Sequence, residues 1–279
     1  MSRDQFFCGL FILAAANGLE GWVVGSVVEQ GWSDALLGSF GVSAVVWVAC
    51  FASPVLLYGS RLDEVITTPD AVIGLGVLAM TILPFAKLSW LALTALSLYM
   101  LSVSPARSSR RRGAYIALAV TGPMLWGPAL MDIFGPAILQ ADAILVSTLI
   151  GTDRVGSVFS GAIGSGGIPT QFAIYPPCSS LHGMSISSLH GMSIAVLAFI
   201  TITNTLGSAW SARQLAWGLL AALSVLAVNV SRLSLIGLFP AHYTAIHESP
   251  GAAIAAWLSL ALVVAISLLS VRREAFVRT

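Results

Sequence analysis

Cys178 stands in Tyr175-Pro176-Pro177-Cys178-Ser179-Ser180-Leu181-His182, where a polar stretch gives way to an apolar run. A Pro-Pro-Cys-Ser-Ser junction predicts a helix N-terminus, with Ser179 or Ser180 capping its free backbone N–H groups. The positive end of such a helix favours the thiolate, the nucleophilic form of cysteine. Two more ionisable residues border apolar segments further along: Arg232 in Asn229-Val230-Ser231-Arg232, and His247 in His247-Glu248-Ser249-Pro250-Gly251. Acyl transfer on a thiol needs a nucleophile, a proton carrier for the leaving amine and a group to hold the oxyanion. Cys178 supplies the first. His247 fits the second, with Glu248 beside it in sequence to tune it. Arg232 never deprotonates, so it suits the third.

The other residues of similar chemistry rank lower. His242 lies ten residues beyond Arg232 and competes for the proton-carrying role, but only His247 has a glycine four residues on. His182, four residues after Cys178, would share one helix side with the thiol and is the reserve base. Its plainer reading is a polar residue near a membrane interface. Cys8 and Cys50 fall inside apolar runs and read as inert buried thiols. The cluster Arg107 to Arg112 reads as a topology anchor touching anionic lipid rather than a ligand site. No metal, haem or other cofactor is called for: His182, His190, His242 and His247 lack paired-helix haem spacing.

The elements that must carry these residues are set by composition. Of 279 residues, 57% are hydrophobic and 9% charged, with a mean hydropathy of +0.91. Soluble domains carry roughly 25% charged residues, so this is an all-α integral membrane chain. A net charge of +1 gives no sign of a nucleic-acid partner. Segments long enough for a 30 Å core run over 6–28, 35–58, 113–131, 181–206, 215–230 and 252–269. The stretch 71–103 is too long for one span and is interrupted by Pro84 and Lys87, so it reads as a tight hairpin of two short spans. With 132–150 laid along the outer interface, ten of the thirteen basic residues face the cytoplasm and only Lys87, Arg154 and Arg232 face out. The expectation is about eight spans in one polytopic domain over 1–279, both termini inside. Cys178, Arg232, His242 and His247 then share the outer face.

Two local features surround the cysteine. The loop 151–177 is rich in Gly and Ser, and Val158-Phe159 and Gln171 to Tyr175 predict two short strands around its glycine turn. Ser179 to Ile186 repeats identically as Ser187 to Ile194. Eight helical residues rotate the second copy by roughly 80°, so the two cannot present one face. This reads as a local duplication that lengthens the start of the span.

The ordered set Cys178-Ser179-Ser180, Asn229-x-x-Arg232 and His247-x-x-x-Gly251 resembles the exosortase/archaeosortase family of multi-pass membrane cysteine transpeptidases. Trp126-Gly127-Pro128 and the segment 132–150 resemble the stretch those proteins carry upstream of their cysteine. The resemblance covers 113–279, which it marks as a catalytic core; 1–112 matches only in being hydrophobic. It implies Cys178, Arg232 and His247 as catalytic residues in a cytoplasmic (inner) membrane, with the site on the extracytoplasmic face. It also implies a substrate class: the C-terminal sorting signal of a secreted protein, made of a short motif, an apolar helix and a basic tail. The signal is cleaved through a Cys thioester and the acyl group passed to an acceptor. The competing reading is a transporter or passive scaffold. Transporters tend to carry buried mid-span charges and repeated halves; here Glu20 is the main charge deep in a predicted span.

Overall fold

The computed structural model describes residues 1–59, 64–163, 169–179, 191–208, 210–248 and 250–277. The long helices are α1 (Arg3–Leu37), α2 (Ala44–Tyr58), α3 (Thr68–Ile82), α4 (Ala86–Val103), α5 (Ser109–Thr121), α6 (Gly127–Ile150), α7 (Met192–Thr205), α8 (Ala212–Leu238) and α10 (Gly251–Val277). A five-residue helix, α9 (Tyr243–His247), precedes the last. Side-chain oxygens of Ser2, Ser43, Thr67, Ser108 and Ser211 start five of these helices by accepting backbone N–H bonds. Such caps replace partners that the first turn lacks. Among the described residues five helical runs are long and apolar enough to cross a membrane. This is the make-up of a multi-pass membrane protein.

Contacts at one end of the bundle order the helices. Arg3, at the start of α1, bonds Asp70 at the start of α3 (2.8 Å) and Glu64 (2.9 Å). Tyr99, near the end of α4, donates to the same Asp70 oxygen at 2.7 Å. Arg110, in the first turn of α5, pairs with Asp4 and with Glu64. Ser109 donates to the carbonyl of Leu56 at the end of α2. Arg112 reaches the carbonyl of Asn204 at the end of α7, and Arg273 of α10 lies over Trp217 near the start of α8. The starts of α1, α3, α5 and α8 therefore gather with the ends of α2, α4, α7 and α10. These eight helices alternate in direction, and the start of α1 and the end of α10 lie on one side of the bundle.

That end corrects one expectation. Arg110 is not a lipid-facing anchor: its side chain is fully buried, and Asp4 beside it is nearly so. Bonds from Arg110 and Arg3 hold the Glu64 carboxyl below its usual range. The network fastens α1, α3, α4 and α5 together. Above it lies the main apolar core, with Phe7, Phe11, Trp90, Leu93, Leu96, Met100, Ile116, Leu197 and Phe199 buried.

The segment boundaries differ in instructive ways. The hairpin appears as α3 and α4 turning at Pro84. The expected span 35–58 is shorter, because residues 35–37 still belong to α1 and a tight turn at Ser39–Gly41 intervenes. The segments 113–131 and 132–150 are not separate. One turn of π-helix at Gly122–Trp126 joins α5 to α6 in a single 42-residue run, about 63 Å long at 1.5 Å per residue. Its upper part packs on α8 and on a small sheet. That sheet holds β1 (Arg154–Val155), β2 (Val158–Ile163) and β3 (Pro169–Ala173), all antiparallel. Both predicted strands are thus present, though the glycine turn at 164–168 lies outside the described residues. So do 180–190, which hold His182, His190 and most of the duplicated octapeptides.

Candidate active site

The site lies at the end of the bundle opposite the ion pairs, where α8 finishes. Gln214 and Arg232 are eighteen residues apart on this helix, about 27 Å along its axis. A second, smaller core of Ala143, Val146, Phe159, Ile174, Val230, Leu233 and Ile236 forms the floor. Gly237 lets the sheet sit down on α8. A Cβ there would come within 2.8 Å of the Phe159 ring and 2.9 Å of Ile150.

Cys178 closes a 3₁₀ turn, Pro176–Cys178, and Ser179 after it is extended. The helix start expected just after it, with Ser179 or Ser180 as cap, falls on residues 180–190, outside the described residues; α7 is described from Met192. The turn is pinned from both sides. The Cys178 N–H bonds the Tyr175 carbonyl at 2.8 Å, and the Cys178 carbonyl accepts from Asn229 Nδ2 at 3.0 Å. Asn229 sits one turn before Arg232 on α8, and it is buried. Burial raises the thiol pKa above its ordinary value, against the opposing pull of the Arg232 charge and a backbone bond from Tyr175. The thiol is therefore un-ionised at neutral pH.

His247, the last residue of α9, brings Nε2 to 3.5 Å from Cys178 Sγ, within hydrogen-bonding range for sulfur. Burial first, and the Arg232 charge second, push its pKa below the ordinary 6.5; Glu248 pulls weakly the other way. Imidazole and thiol thus meet as a neutral pair, the imidazole free to take the proton. Gly251, four residues on, is confined by the backbone of α9. A Cβ there would lie 2.5 Å from the carbonyl oxygens of Ala245 and Ile246, so glycine lets α10 start directly against α9. Arg232 is close enough to act electrostatically on Cys178, Tyr243 and His247. Its Nε is buried with no hydrogen-bond partner among the described residues. The competing His242 is exposed and meets the Phe239 ring in a T-shaped contact instead.

What the sequence reading passed over is an aromatic ladder. His247 stacks on Tyr243 (4.8 Å between ring centres, 11° between planes). Tyr243 stacks on Phe172 at 6.1 Å and 11°, and Phe172 on Phe159 at 5.7 Å and 29°. Phe159 and Phe172 are cross-strand partners in β2 and β3, and Tyr243 and His247 are four apart on α9. Both spacings are readable, by strand pairing and by helical i,i+4 contact. Their convergence on one stack is not. Cys178, His247 and the ladder line a cavity of about 830 Å³, whose remaining walls include Ile174, Leu233, Ile236 and Pro240.

The segment 126–128 lies at the α5–α6 junction, where Trp126 Nε1 donates to Thr94 at 3.3 Å. Gly127 there faces Ser193 at the start of α7. Compared with family models, with curated proteins and with solved structures, the chain matches none.

Proposed function

We propose that this protein is a membrane cysteine endopeptidase and transpeptidase, with Cys178 as nucleophile, His247 as proton carrier and Arg232 as oxyanion holder. The observation that carries this reading is the 3.5 Å contact between Cys178 Sγ and His247 Nε2 beside Arg232. It joins residues 69 positions apart in sequence. The substrate is a C-terminal sorting signal on an exported, membrane-anchored protein, the class implied by the resemblance to exosortases and archaeosortases. The mostly apolar cavity beside the thiol suits a peptide presented at a membrane surface.

The reaction follows from the neutral pair. His247 Nε2 takes the thiol proton as Sγ attacks the scissile carbonyl carbon, and the electron pair moves onto oxygen near Arg232. Collapse breaks the C–N bond, the leaving amine takes the proton from His247, and the acyl group stays on sulfur as a thioester. An acceptor nucleophile then attacks that thioester, giving its proton to His247, which returns it to the sulfur. The eight alternating helices serve as spans, with the arginine-rich end in the cytoplasm and the thiol on the extracytoplasmic face of the inner membrane.

The test is an in-cell comparison of wild type with Cys178→Ala. The variant accumulates a full-length, membrane-held precursor that the wild type shortens. Equal shortening by the variant contradicts the cysteine mechanism.

A further inference from the structure

The arginine-rich end holds a second built cavity, of about 290 Å³, between the start of α5 and the turn joining α7 to α8. Arg107, Arg111, Arg112, Tyr115, Asn204 and Trp210 line it, and among the described residues no carboxylate does. The carboxylates described at this end, Asp4, Glu64 and Asp70, are engaged with Arg3 and Arg110. Two of the three lining guanidinium groups are held by neutral carbonyls: Arg111 by Ser104 at 3.1 Å and Arg112 by Asn204 at 3.1 Å. Such bonds orient the fork without cancelling its charge. Arg112 Nε is buried and has no partner among the described residues.

The surroundings hold this arrangement open. Gly207 has a φ of +85°, and a Cβ on it would lie 3.3 Å from Arg112 Nη1. Only glycine fits that turn without crowding the guanidinium. Arg111 lies over the Tyr115 ring at 5.9 Å, and Tyr115 packs on Trp210 at 5.0 Å. The N-terminus of α5, a 13-residue helix, adds its positive dipole end to the three cations. Three guanidinium groups beside a Tyr–Trp pair, at one end of a membrane bundle, match the chemistry of a phosphate group with an apolar remainder.

We propose that this cavity is a phosphate-binding site, separate from the thiol and at the opposite end of α8 from Arg232. The arginines take the phosphate oxygens, and Tyr115 and Trp210 cover the group that carries it. The phosphate can belong to a membrane lipid headgroup or to a small soluble phosphate, and the experiment separates the two.

Full-length protein in detergent is melted with inorganic phosphate against chloride at matched ionic strength. In parallel, native mass spectrometry counts phosphatidylglycerol and phosphatidylcholine retained by the protein. A rise of a few degrees in Tm with inorganic phosphate identifies a soluble phosphate. Selective, saturable retention of phosphatidylglycerol without that rise identifies a lipid headgroup. In either case Arg107→Gln with Arg111→Gln weakens binding at least about tenfold. Arg107 is exposed and lies outside the helices, so Arg107→Gln alone tests the site without disturbing a helix, and it too must bind more weakly. The proposal is overturned if neither phosphate source binds the wild type above its control, or if the Arg107→Gln protein binds as tightly as the wild type.

Discussion

The two ends of the bundle treat their buried arginines in opposite ways. At one end, Arg3 and Arg110 are matched by Asp4, Glu64 and Asp70 at hydrogen-bonding distance. At the other, Cys178, His247 and Arg232 stand together with no carboxylate hydrogen-bonded to any of them among the described residues. Burial there pushes thiol and imidazole toward their neutral forms. Paired charges hold helices together, whereas a half-buried thiol and imidazole left in contact can pass a proton. The difference is one of partners, and it separates a fastening from a candidate site.

The sharpest way to break the comparison is to remove the reacting pair. Cys178→Ala or His247→Ala lowers processing by about 10⁴-fold or more while Tm stays near wild type, because neither side chain fastens helices. A large fall in Tm with either change would make the thiol end structural. The reciprocal change is Arg110→Met, which removes the buried Arg110–Asp4 pair and the Arg110–Glu64 bond. It costs about 3–5 kcal/mol of stability, read as a lower Tm in detergent, with the catalytic pair unchanged in the protein that remains folded.

A smaller effect tests the ladder. Tyr243→Leu keeps bulk but removes the ring stacked on His247, a contact of about 0.5–1.5 kcal/mol. Processing falls roughly tenfold through kcat, and Tyr243→Phe restores it; no rescue by phenylalanine would remove stacking as the cause. The finest test is pH. With His247 held below 6.5, the acidic limb of the activity profile lies below that value, since activity is lost only when the imidazole protonates. Arg232 lowers both the His247 and Cys178 pKa values, so Arg232→Gln moves the acidic and the alkaline limb upward together. A limb that stays put would mean that Arg232 does not act on the pair.

Much of this was legible in the residues because it depended on local pattern. Apolar lengths located most helices, Pro84 located the α3–α4 turn, and β-rich alternation located β2 and β3. The glycine four residues after His247 has a packing role, since a Cβ there would meet the Ala245 and Ile246 carbonyls. What resisted reading depended on partners distant in sequence. Nothing near Arg110 announces Asp4, 106 residues away, so a buried ion pair looked like a surface anchor. The π turn that fuses α5 to α6 hides in Gly122 and Pro123, which also suit a simple break. Pro-Pro-Cys-Ser-Ser did not announce the 3₁₀ turn that ends at Cys178, and the helix start expected after it lies outside the described residues. The Cys178 pKa follows from burial by segments that only the fold assembles.

The most direct measurement is to look for the acyl group on the sulfur. Membranes from cells processing the substrate are digested, and the peptide carrying Cys178 is weighed before and after neutral hydroxylamine. The account predicts a hydroxylamine-sensitive acyl mass on Cys178 in the wild type, absent from Cys8 and Cys50. Processing that proceeds while Cys178 never carries an acyl group, with its thiol free throughout, would contradict it.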